Sequence, residues 1–137
     1  MGDVDWDTLK TAAIAASKNS YSPYSNFPVG VAGFVDDGRV VSGTNVENAS
    51  YGITLCAECS MVSALHASGG GRLTAVYCVD GIGDPLMPCG RCRQLLYEHG
   101  GPDLKVMTPQ GVATMAELLP HAFVPWDLET RKPEPHN

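Results

Sequence analysis

Two short segments, Thr54-Leu55-Cys56-Ala57-Glu58-Cys59-Ser60 and Met87-Pro88-Cys89-Gly90-Arg91-Cys92-Arg93, constrain this chain more than any other stretch. Thr54 and Pro88 are helix-starting residues followed by apolar positions at helical spacing, which predicts that each segment opens a helix. At such a start the free N–H groups and the positive dipole end favour thiolate over thiol. Cys89 and Cys92 are three apart, so on a first turn their Cβ atoms lie about 5–6 Å from each other on one face. Tetrahedral zinc, with Zn–S near about 2.3 Å, needs sulfurs roughly 3.8 Å apart, a separation two such side chains reach by leaning together. Cys56 adds a third sulfur from a different helix end. Any fold of this chain therefore has to bring two helix starts together.

The carboxylate of Glu58 decides what kind of metal site this would be. Three protein ligands leave the fourth position for water, the arrangement of a catalytic zinc, whereas a structural site is closed by four. Glu58 is two residues past Cys56, which on the side of a helix would point it away. If the metal lies off the helix end, both residues flank it, and Glu58 can take a proton from water and return it to a substrate.

Cys-x-Glu followed by Pro-Cys-x-x-Cys resembles the signature of the zinc-dependent nucleoside and nucleobase deaminases, usually met in a His-x-Glu form. The resemblance narrows to small, free-nucleoside cytidine deaminases through three further stretches: Tyr24-Ser25-Asn26-Phe27-Pro28-Val29-Gly30, the run Gly43 to Gly52, and Leu118-Leu119-Pro120-His121-Ala122-Phe123. It implies hydrolysis of cytidine and 2′-deoxycytidine to the uridine forms with release of ammonia, Glu58 carrying the protons and Cys56, Cys89 and Cys92 holding one zinc per subunit. It further implies that Phe27 walls the base pocket, that Asn45 and Glu47 hold the ribose, and that Ala57, Tyr51 and Phe123 also meet the substrate. Family members of this size are homotetramers with shared active sites, so Tyr51 and Phe123 are expected to complete a neighbour's pocket. For Phe123 the other reading is a plug in its own core.

Taken in order, Asp5 to about Ser17 carries Trp6, Leu9, Ala13 and Ala16 at helical spacing behind an Asp5 cap. Asn19 to Pro28 is a loop by composition, in which Phe27 on its own would read as a core anchor. Val29 to Val35 and Arg39 to Val46 are β-rich runs joined by Asp36-Asp37-Gly38, a hairpin signal. Asn45 and Glu47 leave the second run two apart and on one side of it. From spacing alone they either close a solvated loop or offer an amide and a carboxylate to a ribose hydroxyl.

Thr54 to Ser68 reads as a second helix, ended by Gly69-Gly70-Gly71, with Met61, Val62, Ala64 and Leu65 as its buried face. His66, well along it, reads as structural and not as a ligand. Arg72 to Asp80 is an almost uninterrupted apolar strand, and Cys78 within it reads as a small core residue. A third helix runs from Cys89 to about His99, Asp103 to Met107 is a short strand, and Thr114-Met115-Ala116-Glu117 is a capping box opening a short helix through Leu119. Residues 1–125 are then one domain, and 126–137 a polar, proline-containing tail expected to be poorly ordered. Strands alternating with helices make an α/β layered sheet, mixed because its first pair is a hairpin. The resemblance sharpens this to a three-layer α/β/α fold with five strands and helices on both faces.

Charge and cysteine usage bound the partners. Nine basic against fifteen acidic residues give a net −6, and Arg39, Arg91 and Arg93 are scattered, which argues against a nucleic-acid substrate. No apolar run approaches a membrane span, and Met1-Gly2-Asp3-Val4-Asp5-Trp6 matches neither a signal peptide nor a myristoylation site, so the expected location is the cytoplasm. Five cysteines in such a chain are expected as free thiols, not as a disulfide scaffold.

Cys59 departs from the pattern. Many cytidine deaminases of this size carry Arg there, offsetting the thiolate charge, and Arg91 or Arg93 is a candidate substitute. The fourth thiol also allows a rival, a structural four-cysteine zinc module built from Cys56-x-x-Cys59 and Cys89-x-x-Cys92. Against it, twenty-nine residues separate the pairs, more than the usual interval of about 15–20. A redox dithiol is a third class, without a thioredoxin-type context. Among deaminases, a blasticidin-type aminoglycosyl-cytosine deaminase shares both motifs.

Overall fold

In the structure, a computed structural model that describes residues 3–131 and 133, a five-stranded sheet runs in the order β2-β1-β3-β4-β5. Its strands are β1 (Gly30–Val35), β2 (Val40–Thr44), β3 (Leu73–Val79), β4 (Lys105–Thr108) and β5 (Gly111–Thr114). The helices are α1 (Trp6–Ser17), α2 (Ala57–Ala67), α3 (Gly90–Gly100), α4 (Met115–Leu118) and α5 (Pro125–Thr130), with a single 3-10 turn at Tyr51–Ile53. β1 pairs antiparallel with β2 and β3, β3 parallel with β4, and β4 antiparallel with β5, so the sheet is mixed as expected. No helix among the described residues is long and apolar enough to cross a membrane.

Strand alternation assigns each face its helices. Ala32, Ala75, Tyr77 and Val79 point to one side, where Leu9 and Ala13 of α1 cover them. Val31, Val35, Val76, Cys78 and Val106 point to the other, under Met61 and Leu65 of α2 and Leu96 of α3. The helices meet the sheet closely at glycines. A Cβ on Gly43 would lie 2.4 Å from the Met61 amide nitrogen and 2.5 Å from the Ala57 carbonyl oxygen, so the start of α2 rests directly on β2.

Local signals place several boundaries. Asp5 caps α1, its carboxylate accepting from the Thr8 amide at 3.1 Å. Gly38, at φ 94°, turns the β1–β2 hairpin. Thr114 and Glu117 form the expected capping box. Three boundaries differ from expectation. α2 begins at Ala57 and not at Thr54, because Leu55 is still extended, exchanging backbone hydrogen bonds with Val46 at 2.9 Å in each direction. β5 has no strong strand signal in its four residues and exists through pairing with β4. α5 stands where a poorly ordered tail was expected, since Pro125 presets its first turn and the Asp127 carboxylate accepts from the Val124 amide at 3.0 Å. Residues 132 and 134–137 of that tail lie outside the described residues.

Candidate metal centre

Cys56 is the N-cap of α2 and Cys89 the N-cap of α3, each in an extended conformation that turns the chain into its helix. The hydrogen-bonded sheet sets these two helix starts side by side, and Cys92 joins them from the first turn of α3. The three sulfurs all lie within 4.8 Å of one another, and they are the one such group of metal-binding atoms among the described residues. Cys56 is half-buried, Cys89 exposed and Cys92 buried. The donor set suits zinc: soft thiolates, a separation close to the roughly 3.8 Å of a tetrahedral site, and helix-end dipoles directed at it.

The thiols differ in how readily they ionise. Burial pushes Cys56 and Cys92 up, and the nearby Glu58 carboxylate adds to this in both. Burial, the largest single influence, also raises Cys89, but the Cys92 amide and the Cys92 and Cys56 thiols together outweigh it, and its thiol falls below the ordinary value. Cys89 is therefore the first of the three to offer a thiolate. A bound cation would draw the other two protons off in turn.

Glu58 is 4% exposed, on the first turn of α2. Burial raises its carboxyl above the usual range, against its own backbone amide and the Cys92 and Cys78 thiols, which hold it down. The helix geometry that would have pointed it away from Cys56 does not apply, because Cys56 lies ahead of the helix.

A cavity of about 190 Å³ opens beside the sulfurs, lined by Asn45, Cys56, Ala57, Glu58, Cys78 and Cys89, with Val29, Leu86 and Met87 supplying apolar wall. Thr54 and Leu55 form its edge, and Thr54 also lines a wider hollow of about 390 Å³ with Tyr24, Ser25, Glu47 and Tyr51. The inner cavity is below the roughly 300–1,000 Å³ of pockets for drug-sized ligands. The Cys56 and Cys89 thiols, the Glu58 carboxylate and the Asn45 amide thus share a small inner space, and Glu47 stands in an outer one.

Asn45 and Glu47 are engaged with their own chain. The Asn45 side-chain oxygen accepts from the Ser20 hydroxyl at 2.5 Å and the Val29 amide at 2.9 Å, while its nitrogen donates to the Phe27 carbonyl at 3.0 Å. Glu47 accepts from the Tyr24 and Ser25 amides at 3.0 Å each and from the Ser25 hydroxyl, which together hold its carboxyl below the usual range, the hydroxyl most of all. Both side chains pin the loop before β1. Phe27 at 50%, Phe123 at 57% and Tyr51 at 74% exposure stand at the surface. Neither Phe27 nor Phe123 is among the residues lining the two hollows, and Phe123 is no plug in its own core.

Cys59 is outside the sulfur group and lines a separate depression with Arg91, Gln94, Leu95, Glu98 and His99. A four-sulfur site is not what the chain assembles. Arg93 donates to the Pro88 and Leu118 carbonyls at 2.9 and 3.1 Å, bracing the loop that carries Cys89. His66 meets His99 at 3.2 Å between ring nitrogens, clipping α2 to α3. Cys78 is the lining residue that sequence reading assigned to the core alone. The alternation that puts it on the same face as Val76 was the available signal.

Comparison with known proteins agrees with this geometry. Residues 5–108 match the cytidine and deoxycytidylate deaminase zinc-binding region. The cytidine deaminase of Mycobacterium tuberculosis (strain H37Rv) is 59% identical over 123 residues, covering 90% of this chain and 92% of that protein. That of Halalkalibacterium halodurans is 40% identical over 130 residues, covering 91% and 98%. The crystal structure of cytidine deaminase from Mycobacterium leprae superposes with a TM-score of 0.86 at 78% identity, covering 87% of this chain and 100% of that one.

Proposed function

The chain belongs to the cytidine and deoxycytidylate deaminase family, and from that premise we propose that it hydrolyses cytidine and 2′-deoxycytidine to uridine and 2′-deoxyuridine, releasing ammonia in pyrimidine salvage. It is a zinc-dependent enzyme with one ion per subunit. The observation that carries the reading is a three-sulfur cluster, two of whose sulfurs line one small cavity with a buried carboxylate, and which holds no fourth protein ligand among the described residues.

Cys56, Cys89 and Cys92 hold the metal. Zinc, when bound there, would act as a Lewis acid and lower the pKa of the attacking water toward neutrality. Glu58 accepts the proton that the attacking water gives up and delivers it to N3 of the pyrimidine, which makes C4 electrophilic. As the water oxygen bonds to C4, Glu58 takes the remaining proton of that hydroxyl and passes it to the amino nitrogen, so that the C4–N bond breaks, ammonia leaves and the C4 carbonyl forms. Burial suits it to both roles, because a carboxyl with a raised pKa is a stronger base toward the water proton and still an acid toward the amino group. Asn45 and Ala57 line the base end, and Glu47, beyond Thr54, is within the outer hollow that suits the sugar. For Asn45 and Glu47 the cost of serving a ribose is partial release of the loop bonds they already make.

Phe27, Tyr51 and Phe123 close the substrate in a homotetramer whose sites are shared. Their exposure supports this, as does that of Ile53, Leu55 and Trp126, apolar surface that a lone chain would leave in water. Five free thiols fit a reducing cytoplasm. Residues 1–125 carry every site residue in one domain.

The test is metal analysis with a cytidine-to-uridine absorbance assay, run beside an aminoglycosyl-cytosine antibiotic of the blasticidin type. One zinc per chain and turnover of the free nucleosides is the expected result. Turnover of the antibiotic alone, or none of either, would overturn the proposal.

A further inference from the structure

His66 and His99 are a pair of metal-ligating side chains outside the site described above. His66 is near the end of α2 and His99 near the end of α3, the two helices whose starts carry the sulfurs. Each histidine follows a first-turn cysteine of its own helix, Cys59 or Cys92, by two turns, roughly 10 Å along the axis. The two helices therefore meet twice, at the cysteine corner and again at the histidines. His66 is exposed and His99 half-buried.

His66 Nε2 and His99 Nδ1 stand 3.2 Å apart, with the ring planes at 67°. Two metal–nitrogen bonds of about 2.0–2.1 Å to one ion hold their nitrogens roughly 2.9 Å apart at a right angle and roughly 3.4 Å apart at the tetrahedral angle, so the observed spacing lies inside that range. The ring centroids are 4.9 Å apart, closer than two imidazoles aligned end to end along the line between those nitrogens would be. The contact is bent, as it must be for two lone pairs to converge on a point beside that line. Among the described residues neither outer ring nitrogen, His66 Nδ1 nor His99 Nε2, has a hydrogen-bond partner. The proton held in the contact can therefore move to an outer nitrogen by a change of tautomer, which frees both inner lone pairs. No third protein ligand joins the pair among the described residues, but beside His99 a depression of about 320 Å³, lined by Gln94 and Glu98 among others, leaves room for water on an ion. Arg72, the positive charge at this end of α3, donates to the Glu98 carbonyl at 2.8 Å, and the Glu98 carboxylate and the chain's net −6 offset it.

We propose that His66 and His99 form a second metal site, which takes one divalent ion of the imidazole-preferring class, zinc, nickel or copper, between Nε2 and Nδ1 with water in the remaining positions. An ion there ties α2 to α3 at the end opposite the sulfurs and stabilises the folded chain to the extent that it binds that chain in preference to the unfolded one. With two imidazoles against three thiolates, this site holds its ion more weakly than the cysteine corner does, so a desalted preparation keeps one zinc per chain and the histidines fill only from added metal. The site is independent of the reaction proposed for Glu58.

The test is calorimetric titration of nickel(II) chloride into the zinc-loaded, full-length protein without an affinity tag, followed by metal analysis for both ions. One nickel per chain with zinc still at one is expected, and the melting temperature should rise with nickel concentration. His66→Gln and His99→Gln should each weaken nickel binding by at least about tenfold and abolish that rise, whereas His121→Gln should change neither. Absence of saturable binding, or binding that survives the double substitution of His66→Gln with His99→Gln, overturns the proposal. Where a variant does not fold, X-ray absorption at the nickel edge of the parent decides. Two imidazole neighbours with oxygen filling the remaining positions support the site, and sulfur neighbours or a single imidazole overturn it.

Discussion

The corner where α2 and α3 begin and the exposed aromatics proposed as its rim are built on different terms. At the corner, one chain supplies everything: three sulfurs within 4.8 Å, a carboxylate 4% exposed, and a small cavity walled by the first turn of α2, Cys78 of β3 and the segments that lead into α2 and α3. At the rim, Phe27, Tyr51 and Phe123 stand half or more exposed, and the Tyr24–Tyr51 edge contact at 5.9 Å is the sole ring pair there among the described residues. Two helix starts and the central strand anchor the first; loops carry the second. The difference teaches that the proposed bond-breaking machinery is preorganised inside the subunit, whereas under the proposed assembly the envelope around the substrate would be finished by another copy.

Substitution should separate the two regions by kind of effect as well as by size. At the corner, Glu58→Gln should lower kcat by about 10²–10⁴-fold with zinc content and melting unchanged; full turnover by a zinc-loaded Glu58→Gln protein would break the comparison at its stronger end. At the rim, Phe123→Ala should raise KM by roughly tenfold, the equivalent of about 1.4 kcal/mol of lost binding, and leave zinc untouched. Sedimentation of the same sample should show tetramers, and a fully active monomer would end the shared-site idea.

How much of this was legible beforehand follows the same division. The cysteine corner could be read because Cys56, Glu58, Cys89 and Cys92 have side-chain chemistry with few other uses at that spacing. Four strands and the helices through α4 were visible from periodicity and caps. β5 was not, because a four-residue edge strand depends on its partner for its identity. The start of α2 was misplaced because Thr54 is a good cap by composition, while Leu55, paired with Val46, keeps the chain extended for two more residues. Asn45 and Glu47 were picked out, but their existing bonds to Ser20, Val29, Phe27 and Ser25 were not, since loop closure is a long-range fact. Cys78 was read as a core residue, because the cavity wall it shares with Glu58 is formed across the fold.

Two smaller effects sharpen the boundary of the corner. Cys59→Ser should leave zinc stoichiometry at one and turnover within about twofold, since its side chain faces the Arg91 and His99 depression and a surface substitution away from the site shifts energies by only about 0.5 kcal/mol. A sharp fall in zinc affinity would return a fourth sulfur to the site. The smallest effect concerns the His66–His99 clip on the far side of α2 and α3. Burial first, then the His66 charge and Arg72, lowers the His99 pKa from 6.5, against Glu98, which raises it. The unfolded chain therefore binds more protons than the folded one just below that value, and stability should decline as pH falls from about 6.5. His99→Gln should flatten that decline in a melting series from about pH 7.5 to about 5.5, and an unchanged slope would remove the clip from the account.

The most direct measurement is X-ray absorption at the zinc edge of the purified protein. Three sulfur neighbours at about 2.3 Å and one oxygen or nitrogen neighbour at about 2.0–2.2 Å are predicted. Four sulfur neighbours would contradict the account, because no position would be left for the water from which Glu58 takes its proton.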